Sequence, residues 1–213
     1  MPMLAGRGLA CIRGDRLIFR ALDLAVAAGG ALLLRGPNGS GKSSLLRCLA
    51  SLLPLSEGVV TWDGRPVAED REGHRGRLRY IGHQDAVKPA LSVAQNLRGW
   101  ARLWDLDERT RVEPALDRLG LAALAGLPAQ LLSAGQRRRL ALARLALAPA
   151  SLWLLDEPTT SLDDEGTKRF AGLADEHRGR GGAIVLSSHG GPDFAVSELF
   201  LPDFRPASDE PAA

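Results

Sequence analysis

The sequence predicts an α/β fold in which a mostly parallel sheet is covered by helices on both faces. Three short, continuously apolar segments, residues 31–34, 152–155 and 183–186, have the length and composition of buried strands. Segments with apolar residues at helical spacing lie between them in the chain. Strands that are apolar throughout and alternate with helices are typical of a parallel sheet buried on both faces.

Shorter strands are predicted ahead of and between these buried ones. Short apolar segments at 9–12 and 17–19 are predicted to be strands, and apolar and polar residues alternate in residues 22–26. This period of two is typical of strands with one buried face. Two further strands are predicted at 59–62 and 80–82.

Helical periodicity marks three longer segments. One helix is predicted after residue 43, and Pro54 is expected to end it. A second helical region is predicted from residue 92 to about 120. A third helix is predicted from Ser133 to about Ala148, where Pro149 follows.

An apolar stripe lies on the second helical region. It consists of Leu97, Trp100, Ala101 and Trp104. Such a stripe usually packs onto neighbouring elements of its own domain. Alternatively, part of it lines a groove for a cytoplasmic helix of a partner, because interfaces favour aromatic anchors. The sequence leaves both interpretations open.

The length and composition predict one domain. A chain of 213 residues with 45% hydrophobic and 24% charged residues can bury a large core. We expect a single unit over residues 1–213 with a helical lobe at about 86–147. Residues from about 203 to 213 are rich in Pro, Ala and acidic side chains, and we expect a loose tail there.

Charge and hydropathy argue against several classes of protein. The net charge of +2 gives no support to binding of nucleic acid. Cys11 and Cys48 lie in apolar segments and are predicted to be buried thiols. The sequence shows no secretory leader and no apolar stretch of the roughly 20 residues that a spanning helix needs. Any service to a membrane is therefore expected from the cytoplasmic surface, through a partner.

A glycine-rich segment follows the predicted strand at 31–34 and precedes a helix. It reads Gly36, Pro37, Asn38, Gly39, Ser40, Gly41, Lys42, Ser43 and Ser44. Glycines allow successive backbone N–H groups to surround a phosphate, and the start of a helix adds positive potential. Lys42 is then expected to reach the phosphates of ATP, and the Ser43 hydroxyl to bind Mg²⁺. The alternative is a glycine-rich turn without function.

Two acidic residues follow the apolar segment at 152–155. They are Asp156 and Glu157. The end of a parallel strand lies at the sheet edge where such folds bind ligands. Asp156 is predicted to hold Mg²⁺ and Glu157 to act as the base that orients water. The alternative is a pair of solvated acids at a strand end.

The segment Leu132-Ser133-Ala134-Gly135-Gln136 lies at the start of the third predicted helix. By itself, Ser133 is an ordinary N-cap residue. In this position, however, the segment resembles the signature of ABC ATPases. The resemblance implies a P-loop NTPase core with an antiparallel β subdomain and an inserted helical lobe. It also implies that Ser133, Gly135 and Gln136 contact ATP bound by the opposite subunit of a head-to-tail dimer.

The same resemblance assigns roles to four further residues. Gln84 is the residue of the loop that senses Mg²⁺ and the membrane partner, and Asp163 belongs to the loop that crosses the dimer. His189 is the switch histidine near the γ-phosphate. Arg13 stands where the family places an aromatic residue on adenine, and a guanidinium can also lie flat on that ring.

Within ABC ATPases, the chain resembles the ATP-binding subunits of cytochrome c maturation systems, described as haem exporter components. Residues 9–13, 16–19, 81–84 and 131–145 carry this resemblance. It implies transmembrane subunits of CcmB type with CcmC- and CcmD-like proteins, and a peripheral location on the cytoplasmic face of the inner membrane. A transporter for another solute and a stand-alone ABC ATPase remain as alternatives.

Overall fold

The computed structural model describes residues 3–188, 190 and 192–204. Its strands are β1 (Leu4–Arg13), β2 (Arg16–Val26), β3 (Ala31–Arg35), β4 (Glu57–Trp62), β5 (Arg65–Pro66), β6 (Leu78–Ile81), β7 (Leu152–Asp156), β8 (Ala183–Ser187) and β9 (Ser197–Phe200). Its α-helices are α1 (Lys42–Leu49), α2 (Arg71–Gly76), α3 (Val93–Leu103), α4 (Glu108–Arg118), α5 (Ala134–Leu147) and α6 (Asp164–Gly179).

The central sheet has the strand order β6-β7-β8-β3-β9 and is parallel throughout. The three apolar segments that predicted it form the adjacent strands β7, β8 and β3. Leu186 of β8 lies opposite Leu33 on one side and Leu155 on the other. The predicted α/β class with a parallel sheet is confirmed.

The second sheet is antiparallel, with the order β2-β1-β4-β5. Two separate strands were expected at 17–19 and 22–26, but β2 is a single strand. Ala21 within it has φ +52°, and Arg20 and Ala21 are both exposed, so the alternation of buried and exposed positions is interrupted without ending the strand. The polar residue at this irregularity is the reason that two strands were predicted where the structure has one.

Two core clusters lie on opposite faces of the parallel sheet. Leu33 belongs to the cluster shared with α3, α4, α5 and α6, whereas its neighbours Leu32 and Leu34 pack with α1 and the antiparallel sheet. This division follows from the alternation of side chains along a strand. Helix α1 therefore lies between the two sheets, and its residues Leu45, Leu46 and Leu49 are buried.

Both cysteines pack in the second of these clusters. Cys11 lies on β1 and Cys48 on α1, and both are free thiols. Burial raises the pKa of each thiol above its ordinary value. The prediction of two buried thiols is confirmed.

The helices differ from their predictions in two places. Helix α1 ends at Leu49 rather than at Pro54, and Ser51 just beyond it has φ +55°. The helical region predicted from 92 to about 120 is divided into α3 and α4, because the chain turns at Asp105, whose φ is +52°. Asp107 then begins α4 by accepting a hydrogen bond from the Arg109 backbone N–H.

The C-terminal part of the described chain contains structure that the sequence did not predict. Strand β9 pairs with β3, and residues Leu201–Phe204 form a 3₁₀ helix with Leu201 fully buried. The expected loose tail from residue 203 is thus wrong for Asp203 and Phe204, while residues 205–213 lie outside the described part. Among the helices in the described ranges, none is long and apolar enough to cross a membrane.

Candidate active site

The glycine-rich segment lies at the carboxyl end of β3 and leads into α1. Gly36 has φ +142° and Gly41 has φ +105°. A Cβ atom on Gly36 would lie 2.7 Å from Ser40 Oγ, and one on Gly41 would lie 2.6 Å from Ile18 Cγ2. Glycine is therefore required at both positions by conformation and by space.

Lys42 is the buried cation of this loop. Its Nζ donates hydrogen bonds to the carbonyl oxygens of Gly36 at 2.7 Å and Pro37 at 3.0 Å. The lysine is 6% exposed, so the ammonium group sits inside the curve of the loop. Ser40 Oγ is also buried and has no hydrogen-bond partner among the described residues. The predicted cradle thus contains buried polar groups that a phosphate can satisfy.

The other predicted members of the loop divide by exposure. Pro37, Asn38 and Gly39 are exposed at its tip, Ser43 is half-buried, and Ser44 is buried. Gly41 is the N-cap of α1 and provides no side-chain cap. The backbone N–H groups at the start of α1 are thereby left to a ligand.

The two predicted acids lie at the end of β7. Asp156 is buried, and its Oδ1 accepts a hydrogen bond of 2.7 Å from Ser187 Oγ. Its Oδ2 is buried without a hydrogen-bond partner in the described chain. A buried carboxylate oxygen in this state fits a cation, and carboxylate and hydroxyl oxygens are ligands that Mg²⁺ prefers.

Glu157 occupies a sharp turn immediately after Asp156. Its φ is +50°, which is uncommon for a residue with a side chain. Its backbone N–H donates to the Ser187 carbonyl at 3.1 Å, and Thr160 Oγ1 donates to its Oε2 at 3.1 Å. The half-buried carboxylate is therefore oriented at the same sheet edge as the glycine-rich segment 36–44, which we call the phosphate loop.

Ser187 is a site residue that sequence analysis missed. It is the last residue of β8 and lies opposite Asp156 in the sheet register. Its hydroxyl orients Asp156 and also accepts a hydrogen bond from the Glu157 backbone N–H at 3.0 Å. A polar residue that ends an otherwise apolar strand was the available signal.

Ser133 and Gln136 form a complete capping box at the start of α5. Ser133 Oγ accepts from the Gln136 backbone N–H, and Gln136 Oε1 accepts from the Ser133 backbone N–H. Gly135 lies against the next loop, because a Cβ there would be 2.6 Å from the Ser161 carbonyl oxygen. Ser133 is exposed. The N-cap interpretation is confirmed, and the exposed position keeps Ser133 accessible to a second chain.

The remaining predicted residues make no described side-chain contact with the phosphate loop or the two acids. Gln84 is exposed just after β6, and Arg13 is exposed where β1 turns into β2. Asp163 caps α6 by accepting from the Gly166 backbone N–H at 2.8 Å. His189 lies outside the described residues. The structure therefore brings together the phosphate loop and the two acids.

Comparison with known proteins agrees with this geometry. Residues 19–160 match the family model described as ABC transporter. The chain belongs to this family. The cytochrome c biogenesis ATP-binding export protein CcmA of Paramagnetospirillum magneticum is 52% identical over 97% of both chains. The CcmA protein of Rhodospirillum rubrum is 53% identical over 88% of this chain and 80% of its own. The chain is thus an ABC-type ATPase subunit that binds nucleotide, and it groups with the CcmA proteins.

Solved structures show the same fold. An ATP-binding protein assigned to the ABC transporters, from Pyrococcus furiosus, aligns with a TM-score of 0.82 at 22% identity. This alignment covers 95% of the present chain and 99% of that chain. An ATP-binding subunit of an ABC transporter aligns with a TM-score of 0.77 at 23% identity, over 88% and 79% of the two chains. The predicted ABC ATPase fold is confirmed.

Proposed function

We propose that this chain hydrolyses ATP for a membrane complex of cytochrome c maturation that exports haem. Support for the pathway comes from the CcmA relatives at 52% and 53% identity. Support for hydrolysis comes from the site itself. The observation that carries it is the buried Oδ2 of Asp156, which has no hydrogen-bond partner among the described residues, next to the oriented Glu157 carboxylate.

The residues of the chain divide the work of the site. The glycine-rich loop and Lys42 would bind the phosphates, while Asp156, Ser43 and Gln84 would hold Mg²⁺. The bound ion supplies positive charge against the phosphate oxygens. Glu157 accepts the proton of the attacking water, and its Thr160 hydrogen bond keeps the carboxylate directed. His189 is proposed to contact the γ-phosphate, and Arg13 to lie on adenine.

The Glu157→Gln variant tests this assignment. Loss of a positioned base is expected to lower turnover by about 10²- to 10⁴-fold, while ATP binding persists. Steady-state phosphate release and nucleotide titration measure the two quantities. Glu165→Gln is the matched control, because Glu165 is exposed on α6 and pairs only with Arg169 in the described structure. Turnover of Glu157→Gln within a few-fold of wild type would contradict the role of Glu157.

We further propose that two copies assemble head to tail, so that Ser133 of one completes the Lys42 site of the other. The exposure of Ser133 at the start of α5 supports this arrangement. Mixing Lys42→Ala and Ser133→Arg chains places both lesions in one shared site and leaves the other intact. Activity should therefore reappear in the mixture. A mixture no more active than either variant alone argues against the shared site.

For the membrane partner, we propose CcmB-like transmembrane subunits with CcmC- and CcmD-like proteins, bound at the cytoplasmic face of the inner membrane. Leu97 and Ala101 of the apolar stripe are buried in the core. Trp100 and Trp104 are half-buried, with the guanidinium groups of Arg144 and Arg79 on their rings. The two rings and these arginines border a cleft of about 180 Å³. This cleft is our candidate for partner contact.

Co-purification tests the partner proposal. Replacement of Trp100 or Trp104 by Phe keeps an aromatic ring for packing but reduces the area available for contact with a partner. Less of the chain should then be recovered with the membrane subunits. Mass spectrometry of the co-purified subunits identifies them. Subunits of a transporter for another solute would refute the assignment to cytochrome c maturation. Full recovery of both variants would place the docking surface elsewhere.

A further inference from the structure

Arg138 lies in α5, shortly after the signature segment (residues 132–136) in the chain. Its side chain is 4% exposed, although arginine is rarely buried to this extent without partners. In the sequence it is the middle one of three successive arginines, Arg137, Arg138 and Arg139. The structure distinguishes it from its neighbours, because Arg137 and Arg139 each donate one described hydrogen bond, to the carbonyls of Leu132 and Leu119.

The Arg138 guanidinium makes as many hydrogen bonds as it has N–H groups. Nη2 donates to the carbonyl oxygens of Asp156 at 2.7 Å and Glu157 at 2.8 Å. Nε donates to the Pro158 carbonyl at 3.1 Å. Three successive carbonyls of the turn that carries the catalytic acid therefore point to one side chain. A guanidinium offers five such donors in a fixed plane.

The other end of the same group holds the loop that contains Gln84. Nη1 donates to the Gly82 carbonyl at 3.1 Å and to Asp85 Oδ1 at 2.9 Å. These two acceptors lie on either side of Gln84 in the chain. Arg138 thus joins three separate segments: the signature helix, the turn after β7 and the loop after β6. Displacement of any one of them disturbs hydrogen bonds to the other two.

The turn after β7 has a physical need for such support. Glu157 has φ +50°, a conformation that costs free energy for a residue with a Cβ atom and persists only when its surroundings impose it. Arg138 binds the carbonyls on both sides of this residue's α-carbon, since it contacts Asp156 and Glu157 together. The backbone of the residue that carries the catalytic carboxylate is thereby held by a side chain of α5.

We propose that Arg138 is a positioning residue that holds the Glu157 turn and the Gln84 loop in one arrangement. It does not contact the reacting atoms; it acts through Glu157. A shift of the Gln84 loop, or of the start of α5, then reaches the catalytic carboxylate through one planar group. This inference rests on the base role proposed for Glu157.

The Arg138→Lys variant is the first test, because it keeps the charge but cannot span five acceptors. Turnover should fall by about 10- to 100-fold, since small displacements of a catalytic group are costly. The affinity for ATP should change by less than about threefold, because the phosphate loop makes no described contact with Arg138. Arg139→Lys is the matched control and should retain wild-type turnover. Wild-type turnover of Arg138→Lys, or an equal loss of affinity and turnover, would overturn the proposal.

A double variant separates positioning from general destabilisation. If Arg138 acts through Glu157, adding Arg138→Lys to Glu157→Gln should lower the residual turnover by less than about threefold. A full, multiplicative loss would refute action through Glu157. Should Glu157→Gln alone leave turnover unchanged, the proposed base role fails. Should only Arg138→Lys leave turnover unchanged, the base role stands and the present inference fails.

Asp85 provides a test that leaves the Arg138 side chain itself unchanged and removes only its ion-pair partner in the loop. Asp85→Ala removes the side-chain acceptor of the loop, whereas Asp85→Asn retains an oxygen at that position. Turnover should fall by about 3- to 10-fold in the first variant and recover in the second, with ATP affinity unchanged in both. Melting temperatures of all variants show that the folded chain is compared. Wild-type turnover of Asp85→Ala would show that the Gln84 loop is not coupled to Glu157 through Arg138.

Discussion

Helices α1 and α5 both begin at functional segments, but their first turns are satisfied in opposite ways. At α1 the N-cap is Gly41, with φ +105° and no side-chain cap. At α5 the N-cap is Ser133, whose side chain and that of Gln136 complete a capping box. The first turn of α1 therefore leaves its N–H groups to a ligand, whereas that of α5 is stable without one.

This difference between the N-terminal turns of α1 and α5 corresponds to the different roles proposed for them. The phosphate loop contains the buried hydroxyl of Ser40, which has no hydrogen-bond partner in the described ranges, and the buried ammonium of Lys42, which donates to two loop carbonyls. The capping box of the signature segment is complete and Ser133 is exposed, so the folded chain needs no nucleotide there. We expect the α1 end to determine the affinity of a single chain for ATP, and the α5 end to determine stability and assembly.

Among tests of this difference between α1 and α5, the largest effect is expected on ATP affinity when Lys42 is replaced. Lys42→Met removes charge-assisted contacts to phosphate and should lower ATP affinity by at least about 100-fold. Its melting temperature should not fall, because methionine fills a similar volume without a buried charge. Isothermal titration and thermal denaturation measure both effects. Lys168→Met, on the exposed face of α6, is the control. Affinity within threefold of wild type would contradict the assignment.

At the α5 end, Gly135→Ala should act on stability. The added Cβ would lie 2.6 Å from the Ser161 carbonyl oxygen, so the start of α5 and the turn at Ser161 must separate. We expect a loss of about 1–3 kcal/mol in the free energy of unfolding, measured with urea. Gly172→Ala, on α6 with open space around its Cβ, should instead gain about 0.5–1 kcal/mol. Equal effects of the two substitutions would refute the close approach.

A smaller effect is expected from the cap itself. Ser133→Ala leaves the Gln136 backbone N–H without its acceptor and should cost about 1 kcal/mol of stability. Ser133→Asn supplies another capping oxygen and should recover most of this loss. Urea denaturation of the three proteins checks the order. An alanine variant as stable as wild type would show that the capping box contributes nothing to the folded chain.

The motifs that sequence analysis identified are contiguous in the chain, and this is why they could be found. A phosphate loop needs glycines at fixed spacing between a strand and a helix, and residues 36–44 show that pattern directly. Asp156 and Glu157 follow an apolar strand in the same way. For such segments the local sequence contains the conformational requirement itself.

The parts that sequence analysis missed depend on contacts between distant segments. Ser187 and Asp156 are 31 residues apart, and only the sheet register places them side by side. The role of Arg138 arises from carbonyl groups, which every residue possesses and no sequence pattern marks. Strand β9 has exposed positions along most of its length, so it lacks the hydrophobic signal of the other parallel strands.

The position of β9 has a consequence for the biosynthesis of the protein. Strand β3, which leads into the phosphate loop, is flanked by β8 and β9, so its neighbours are residues 183–187 and 197–200. During synthesis β3 leaves the ribosome early, whereas its neighbours β8 and β9 are translated near the end of the described chain. Because pairing over such separations requires both segments, the nascent protein acquires its nucleotide site late. A chain that terminates before residue 197 would lack one side of the strand that supports the loop.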